Sequence, residues 1–156
     1  MAKKPATIGV AKQMAAPKLT RKKLEALLRA EFPEMFSTES GYALEALWYG
    51  GCRVRRHFHP RSLRPGGTVS GPIMMALADF TMYLAVLSAI GWVPLAVTTN
   101  FSINFLKRPA PGDLVAEARL IKLGKRLAVG EIGIRSEAAE DLVAHATATY
   151  SVPEVK

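Results

Sequence analysis

From Gly71 to Ile90 the chain reads GPIMMALADFTMYLAVLSAI, and Asp79 is the only charged residue from Gly71 as far as Asn100. Wound as a helix, this segment is apolar almost all round, so other elements must wrap most of its sides. Ser70 or Gly71 can cap its start, and Pro72 suits the first helical position, where a missing N–H is no loss. Gly91 supplies a stop. A carboxylate set among Ile73, Met74, Met75, Leu77, Leu84 and Leu87 loses hydration that it must recover from a partner. Such a group is a candidate for chemistry, and a structural carboxylate that caps backbone fits the same pattern.

The stretch Phe80–Val97 has the length of a membrane span. Gly91 and Pro94 interrupt it, Asp79 abuts it, and polar alternating sequence follows at once, so a buried helix running into a strand explains it better. At 156 residues the chain is long enough for one domain with a real core, and its 49% hydrophobic content is globular. The single Cys52 excludes an internal disulfide and a cysteine metal cluster. Lys3 and Lys4 precede no apolar run, so no secretory signal is visible and a cytoplasmic location is expected.

The net charge of +8 is unevenly placed. Residues 1–30 hold eight basic groups against Glu25, whereas residues 31–156 hold 13 basic and 12 acidic groups. Residues 1–17 therefore read as a solvated basic arm ahead of a single domain, 18–156, and the body carries no nucleic-acid signal. A nucleic-acid binder would use the arm alone. The phosphate loop G-x-x-x-x-G-K-[ST], G-x-G-x-x-G and G-x-S-x-G are all absent, which removes the motif support for nucleotide hydrolysis, nicotinamide binding and α/β-hydrolase chemistry.

Thr20 can cap a helix through about Glu31, with Leu24, Leu27 and Leu28 on one face; the N-terminal helical region spans 18–36. Tyr42–Tyr49 and Cys52–Phe58 read as strands joined at Gly50–Gly51. Pro60–Thr68 reads as a loop, and the central helix occupies 70–90. In Val97–Phe105 the residues Val97, Thr99, Phe101, Ile103 and Phe105 alternate with Thr98, Asn100, Ser102 and Asn104, which puts Thr98 on the polar face. Strands over Leu114–Leu123, Leu127–Ser136 and Leu142–Val152 follow. Leu142, Ala144, Ala146, Ala148 and Tyr150 share one face of the last, and the small alanines let a helix lie close. Short turns make these strands antiparallel. An α+β hotdog fold, a curved antiparallel sheet wrapped around one central helix with an N-terminal helical extension, meets all these demands.

From about Arg64 to Pro153 the chain resembles the PaaI-type hotdog acyl-CoA thioesterases. The resemblance rests on SGPIMMALAD, VTTNFSINFLKRPAPGD, KLGKRLAVGE and VAHATATYSV. Members usually carry His-Gly-Gly nine residues before the aspartate of Leu-Ala-Asp. Here Leu77-Ala78-Asp79 and Gly71 match, Ser70 stands at the histidine and Pro72 at the second glycine. Arg64 stands where an asparagine often helps position substrate or water, Gly67 fits the loop glycine, and Thr98 aligns with a serine hydroxyl near the attacking water. The resemblance implies acyl-CoA hydrolysis with Asp79 as base or nucleophile and the Gly71 N–H as oxyanion donor. It implies a homodimer or homotetramer whose partner supplies that Gly71, and coenzyme A as part of the substrate with no separate cofactor.

Read from the residues, Ser70 fits a plain helix cap before a catalytic role. Arg64 is able to hold a carbonyl or carboxylate, or to lie solvated. Lys107, Arg108, Lys122, Lys125 and Arg126 are candidates for the phosphates of coenzyme A. His57 and His59 share a strand face at metal-ligand spacing, but no Cys, Asp or Glu cluster supports them in sequence, and no metal is expected. His145 reads as a strand histidine exposed on one side. Two other hotdog functions compete: a non-catalytic acyl-CoA or lipid binder, and an enoyl-CoA hydratase or dehydratase. No stable membrane insertion and no nucleic-acid partner are expected.

Overall fold

Thr20 begins helix α1, Arg21–Glu31, by accepting from the Lys23 amide at 3.2 Å. The computed structural model describes residues 15–137 and 141–154, so most of the expected basic arm lies outside the described residues. Leu24 and Leu28 are fully buried. The Lys18 amide donates to Ser88 O at 2.7 Å and Arg21 Nη1 to Glu45 O at 3.2 Å, which moors the extension to the body.

Strands β1 (Tyr42–Trp48) and β2 (Gly51–Arg56) form the predicted hairpin, with Gly50 at φ 76° in the turn. The loop expected over Pro60–Thr68 is more ordered than composition suggests. A 3-10 turn, Pro60–Ser62, runs into a small antiparallel ladder of β3 (Leu63–Arg64) and β4 (Thr68–Val69). Helix α2 then runs Gly71–Ile90. Strands β5 (Val97–Phe105), β6 (Leu114–Leu123), β7 (Leu127–Ser136) and β8 (Leu142–Ser151) complete the chain.

Six strands make one antiparallel sheet in the order β1-β2-β6-β7-β8-β5, so β5 is an edge. Its concave face wraps α2, giving the expected hotdog architecture. Ala116, Ala118, Ala144, Ala146 and Ala148 are all buried beneath the helix, and small side chains there allow the close approach that dense packing requires. At Gly130 even a methyl group is too much: a Cβ would stand 2.6 Å from Met82 Sδ and 2.7 Å from Arg119 O. Among the described residues α2 is the one helix long and apolar enough to cross a membrane, and it is largely buried as the core of this sheet.

Candidate active site

Asp79 sits two turns into α2, half-buried, where the helix faces the start of β5 and the end of β8. Its Oδ1 accepts from Thr98 Oγ1 at 2.6 Å and from Tyr150 Oη at 2.7 Å. Tyr150 Oη also lies 2.9 Å from the Asp79 carbonyl. The hydration lost on burial is thus replaced by two hydroxyls on one oxygen, and among the described residues Oδ2 has no hydrogen-bond partner. Burial pushes the Tyr150 phenol up; the Thr98 hydrogen bond opposes this and the Asp79 charge adds to it. The tyrosine therefore keeps its proton and serves as a donor.

Thr98 reaches Asp79 because the alternation of β5 breaks. Thr98 pairs with Tyr150 and Asn100 pairs with Thr149, so Thr99 is one residue extra, a β-bulge. An extra residue inverts the side-chain parity of what precedes it. Phe101 and Ile103 face the core, and Thr98 joins them on that face instead of lying on the polar one the sequence predicts.

A cavity of about 510 Å³ opens beside the carboxylate. Asp79, Thr98 and Tyr150 form its polar end; Phe80, Tyr83, Trp92, Pro94, Ala96 and Val97 form apolar walls, and Glu31, Phe32 and Met35 close one side. Phe32 meets Phe80 and Tyr83 edge-on, with centroids 6.5 and 6.4 Å away. Tyr150, Phe32 and Met35 escape the sequence reading of the site. Strand spacing places Tyr150 on the helix-facing side, but an aromatic there reads as core.

Gly71 is elsewhere. It opens α2, and Asp79 follows eight residues later, about 12 Å along the axis. The ring of Phe105 lies against Gly71, whose added Cβ would stand 3.3 Å from it. Ser70 holds the N-cap position but its side chain makes no capping bond, which corrects the expectation of a plain side-chain cap. Its amide instead donates to Ser62 O at 2.9 Å, tying the helix start to the small ladder. Arg64 and Gly67 are exposed on that ladder, and the Gly67 amide closes its turn on Arg64 O at 3.0 Å. Helix start, ladder and the Lys107–Arg108 pair after β5 share one end of the sheet. Lys122, Lys125 and Arg126 sit at the opposite end, since Leu127 pairs with Ser151 and Ile134 with Ala144. A ten-residue strand puts about 30 Å between the two basic groups. Lys107 is paired with Asp141, and Arg126 with Glu154 at 2.8 Å.

The histidine pair separates as well. His57 Nδ1 lies 3.2 Å from Asp113 Oδ2, whereas His59 Nδ1 accepts from the Arg61 amide at 3.0 Å. His145 Nε2 meets Glu131 Oε2 at 3.1 Å on the outer face of the sheet. Burial pushes the Cys52 thiol up, and it lies 3.1 Å from Thr81 O, remote from the cavity.

Residues 66–143 match the family model described as the thioesterase superfamily. The chain belongs to the thioesterase superfamily. A superfamily structure from a Silicibacter species, an inferred thioesterase, shares 43% identity at a TM-score of 0.80, over 92% of this chain and 97% of that one. An inferred esterase of Saccharolobus solfataricus is 32% identical over 87% of each chain. The phenylacetic acid degradation protein PaaI of Thermus thermophilus, in a mutant structure, is 26% identical at a TM-score of 0.66, over 72% of this chain and 94% of that one. A hypothetical thioesterase of Streptococcus pneumoniae, solved with coenzyme A, is 26% identical at 0.67, over 74% and 88%. The protein is thus a PaaI-type hotdog thioesterase-superfamily member.

Proposed function

We propose that the protein hydrolyses an acyl-CoA thioester to a free acid and coenzyme A. The observation that carries this is a carboxylate with one oxygen held by two hydroxyls and the other without a partner among the described residues, at the end of an apolar cavity. In this reading the acyl group fills the cavity and Asp79 Oδ2 takes a proton from water as the water oxygen adds to the thioester carbonyl. The tetrahedral intermediate collapses by breaking the C–S bond. Asp79 returns the proton to the leaving sulfur. Direct attack by Oδ2, with water then hydrolysing the anhydride, uses the same geometry. Coenzyme A enters as substrate, and no further cofactor takes part. The Streptococcus pneumoniae relative with its coenzyme A supports this substrate class.

The oxyanion needs a donor; the Thr98 and Tyr150 hydroxyls are engaged with Asp79 and the Tyr83 hydroxyl with Pro94 O, whereas the Gly71 amide is among the donors at the start of α2 that have no partner within the helix. We assign it from a second copy. The open side of α2, with Pro72, Met75 and Ala76 exposed, adjoins edge strand β5, whose Val97 and Phe105 are also exposed. Two copies meeting antiparallel across that face bring the helix start of each toward the carboxylate of the other, a self-complementary contact.

The test is thiol release from a panel of aliphatic and aromatic acyl-CoAs. Asp79→Ala and Asp79→Asn should each lose about 10²–10⁴-fold in rate. Release that survives both changes, or no release from any substrate by a folded protein, overturns the proposal.

A further inference from the structure

The cavity beside Asp79 has a sign. Among the described residues that line it, only Glu31 and Asp79 are charged, and both are acidic. Glu31 is the last residue of α1 and is exposed. A carboxylate at that end meets the negative pole of the helix dipole, so helix stability does not account for it. Its charge is felt inside: the Tyr83 phenol is pushed up first by burial and then by Glu31.

We propose that Glu31 is a charge filter on the acyl group, admitting uncharged chains and discriminating against those that end in a carboxylate. This rests on reading the cavity as the acyl chamber of a thioesterase. An acyl chain extending from Asp79 passes Phe80 and Tyr83 and ends near the wall made by Glu31 and Phe32. A terminal carboxylate there would lie near two like charges in a space that is only partly solvated, with no cation among the described lining residues to pair it. An uncharged chain meets the aromatic and aliphatic walls and no like-charge repulsion at Glu31. The phosphates of coenzyme A are held outside by the same argument.

Two thioether analogues separate this proposal from the hydrolase reading, because they bind without being cleaved. S-hexyl-coenzyme A and S-(5-carboxypentyl)-coenzyme A are titrated calorimetrically into the full chain and into Glu31→Gln and Glu31→Lys, which change an exposed residue. The wild-type protein should bind the hexyl compound about tenfold more tightly than the carboxypentyl one. Glu31→Gln should narrow that gap and Glu31→Lys should close or reverse it, chiefly through tighter binding of the carboxypentyl compound. Equal affinities in the wild type, a gap all three proteins share, or no binding of either compound overturns the filter. The expected preference in a protein that releases no thiol from acyl-CoA leaves the filter standing and removes the hydrolase reading.

Discussion

Tyr150 Oη donates to Asp79 Oδ1 across 2.7 Å, joining the end of the last strand to the middle of the central helix. With Thr98 on the same oxygen, the carboxylate is fixed in orientation and its second oxygen has no partner among the described residues. Hydrogen bonds to a charged group contribute about 1.5–3 kcal/mol each. Tyr150→Phe should therefore lower kcat by about tenfold and leave KM within about twofold. A variant with unchanged kcat shows that Thr98 alone orients the acid.

Thr98 offers a finer test, since its hydroxyl can be removed without changing its shape. Thr98→Val should cost about tenfold in kcat, and Thr98→Ser should restore most of it. Steady-state kinetics on the two variants decide the matter. Equal losses would point to strand packing as the role of this side chain.

Met75 is 42% exposed on the open side of α2. If a second copy covers that side, Met75→Arg places a charge in an apolar contact and should shift the protein to monomer in light scattering. Activity should fall with it, although Asp79 and its two donors are untouched. A fully active monomer would remove the partner's Gly71 from the mechanism.

Asp113 accepts from the Phe58 amide at 2.7 Å and lies 3.3 Å from Arg55 Nη1 and 3.2 Å from His57 Nδ1. Burial pushes its carboxyl up, but the Phe58 amide, His57 and Arg55 outweigh that and hold it below the ordinary value. A depressed folded-state pKa gives stability that is full above the ordinary carboxylate pKa of about 4 and fades as pH falls through the lower folded value. Asp113→Asn should cost about 1–2 kcal/mol near pH 7 in urea melts. The difference from wild type should close at strongly acid pH.

Gly130→Ala puts a methyl against Met82 and the Arg119 carbonyl. The sulfur can move, whereas the backbone oxygen is held in the β6–β7 ladder. A loss of about 1–3 kcal/mol is expected in thermal or denaturant unfolding. Met82→Ala in the same chain relieves only the sulfur clash, so it should recover little.

Much of the frame was legible because it follows from local patterns. The uniform apolarity of Gly71–Ile90 required a wrapping surface, and the alanines at 144, 146 and 148 marked where the helix would lie. The site was less legible because it depends on register and docking. Nothing in Thr98-Thr99-Asn100 distinguishes a regular strand from a bulged one, so simple alternation puts Thr98 on the polar face whereas the bulge turns it to Asp79. Phe32 and Met35 line the cavity because Phe32, just past the end of α1, packs on Tyr83 and Phe80, a contact between segments some fifty residues apart. The charged residues Lys107 and Lys122 look equivalent as turn cations, and only the strand pairing sends them to opposite ends.

The bulge at Thr99 makes the position of a hydroxyl depend on a count rather than on a composition. Without Thr99 the strand would regain its even beat and Thr98 would still stand opposite Tyr150, on the side of the acid; straightening β5 with Thr99 retained would instead turn Thr98 away while leaving every chemical group of the site in the chain. A lineage that kept the residue and lost the bulge would keep the architecture and part Thr98 from Asp79, so along this strand the pairing register carries the functional step.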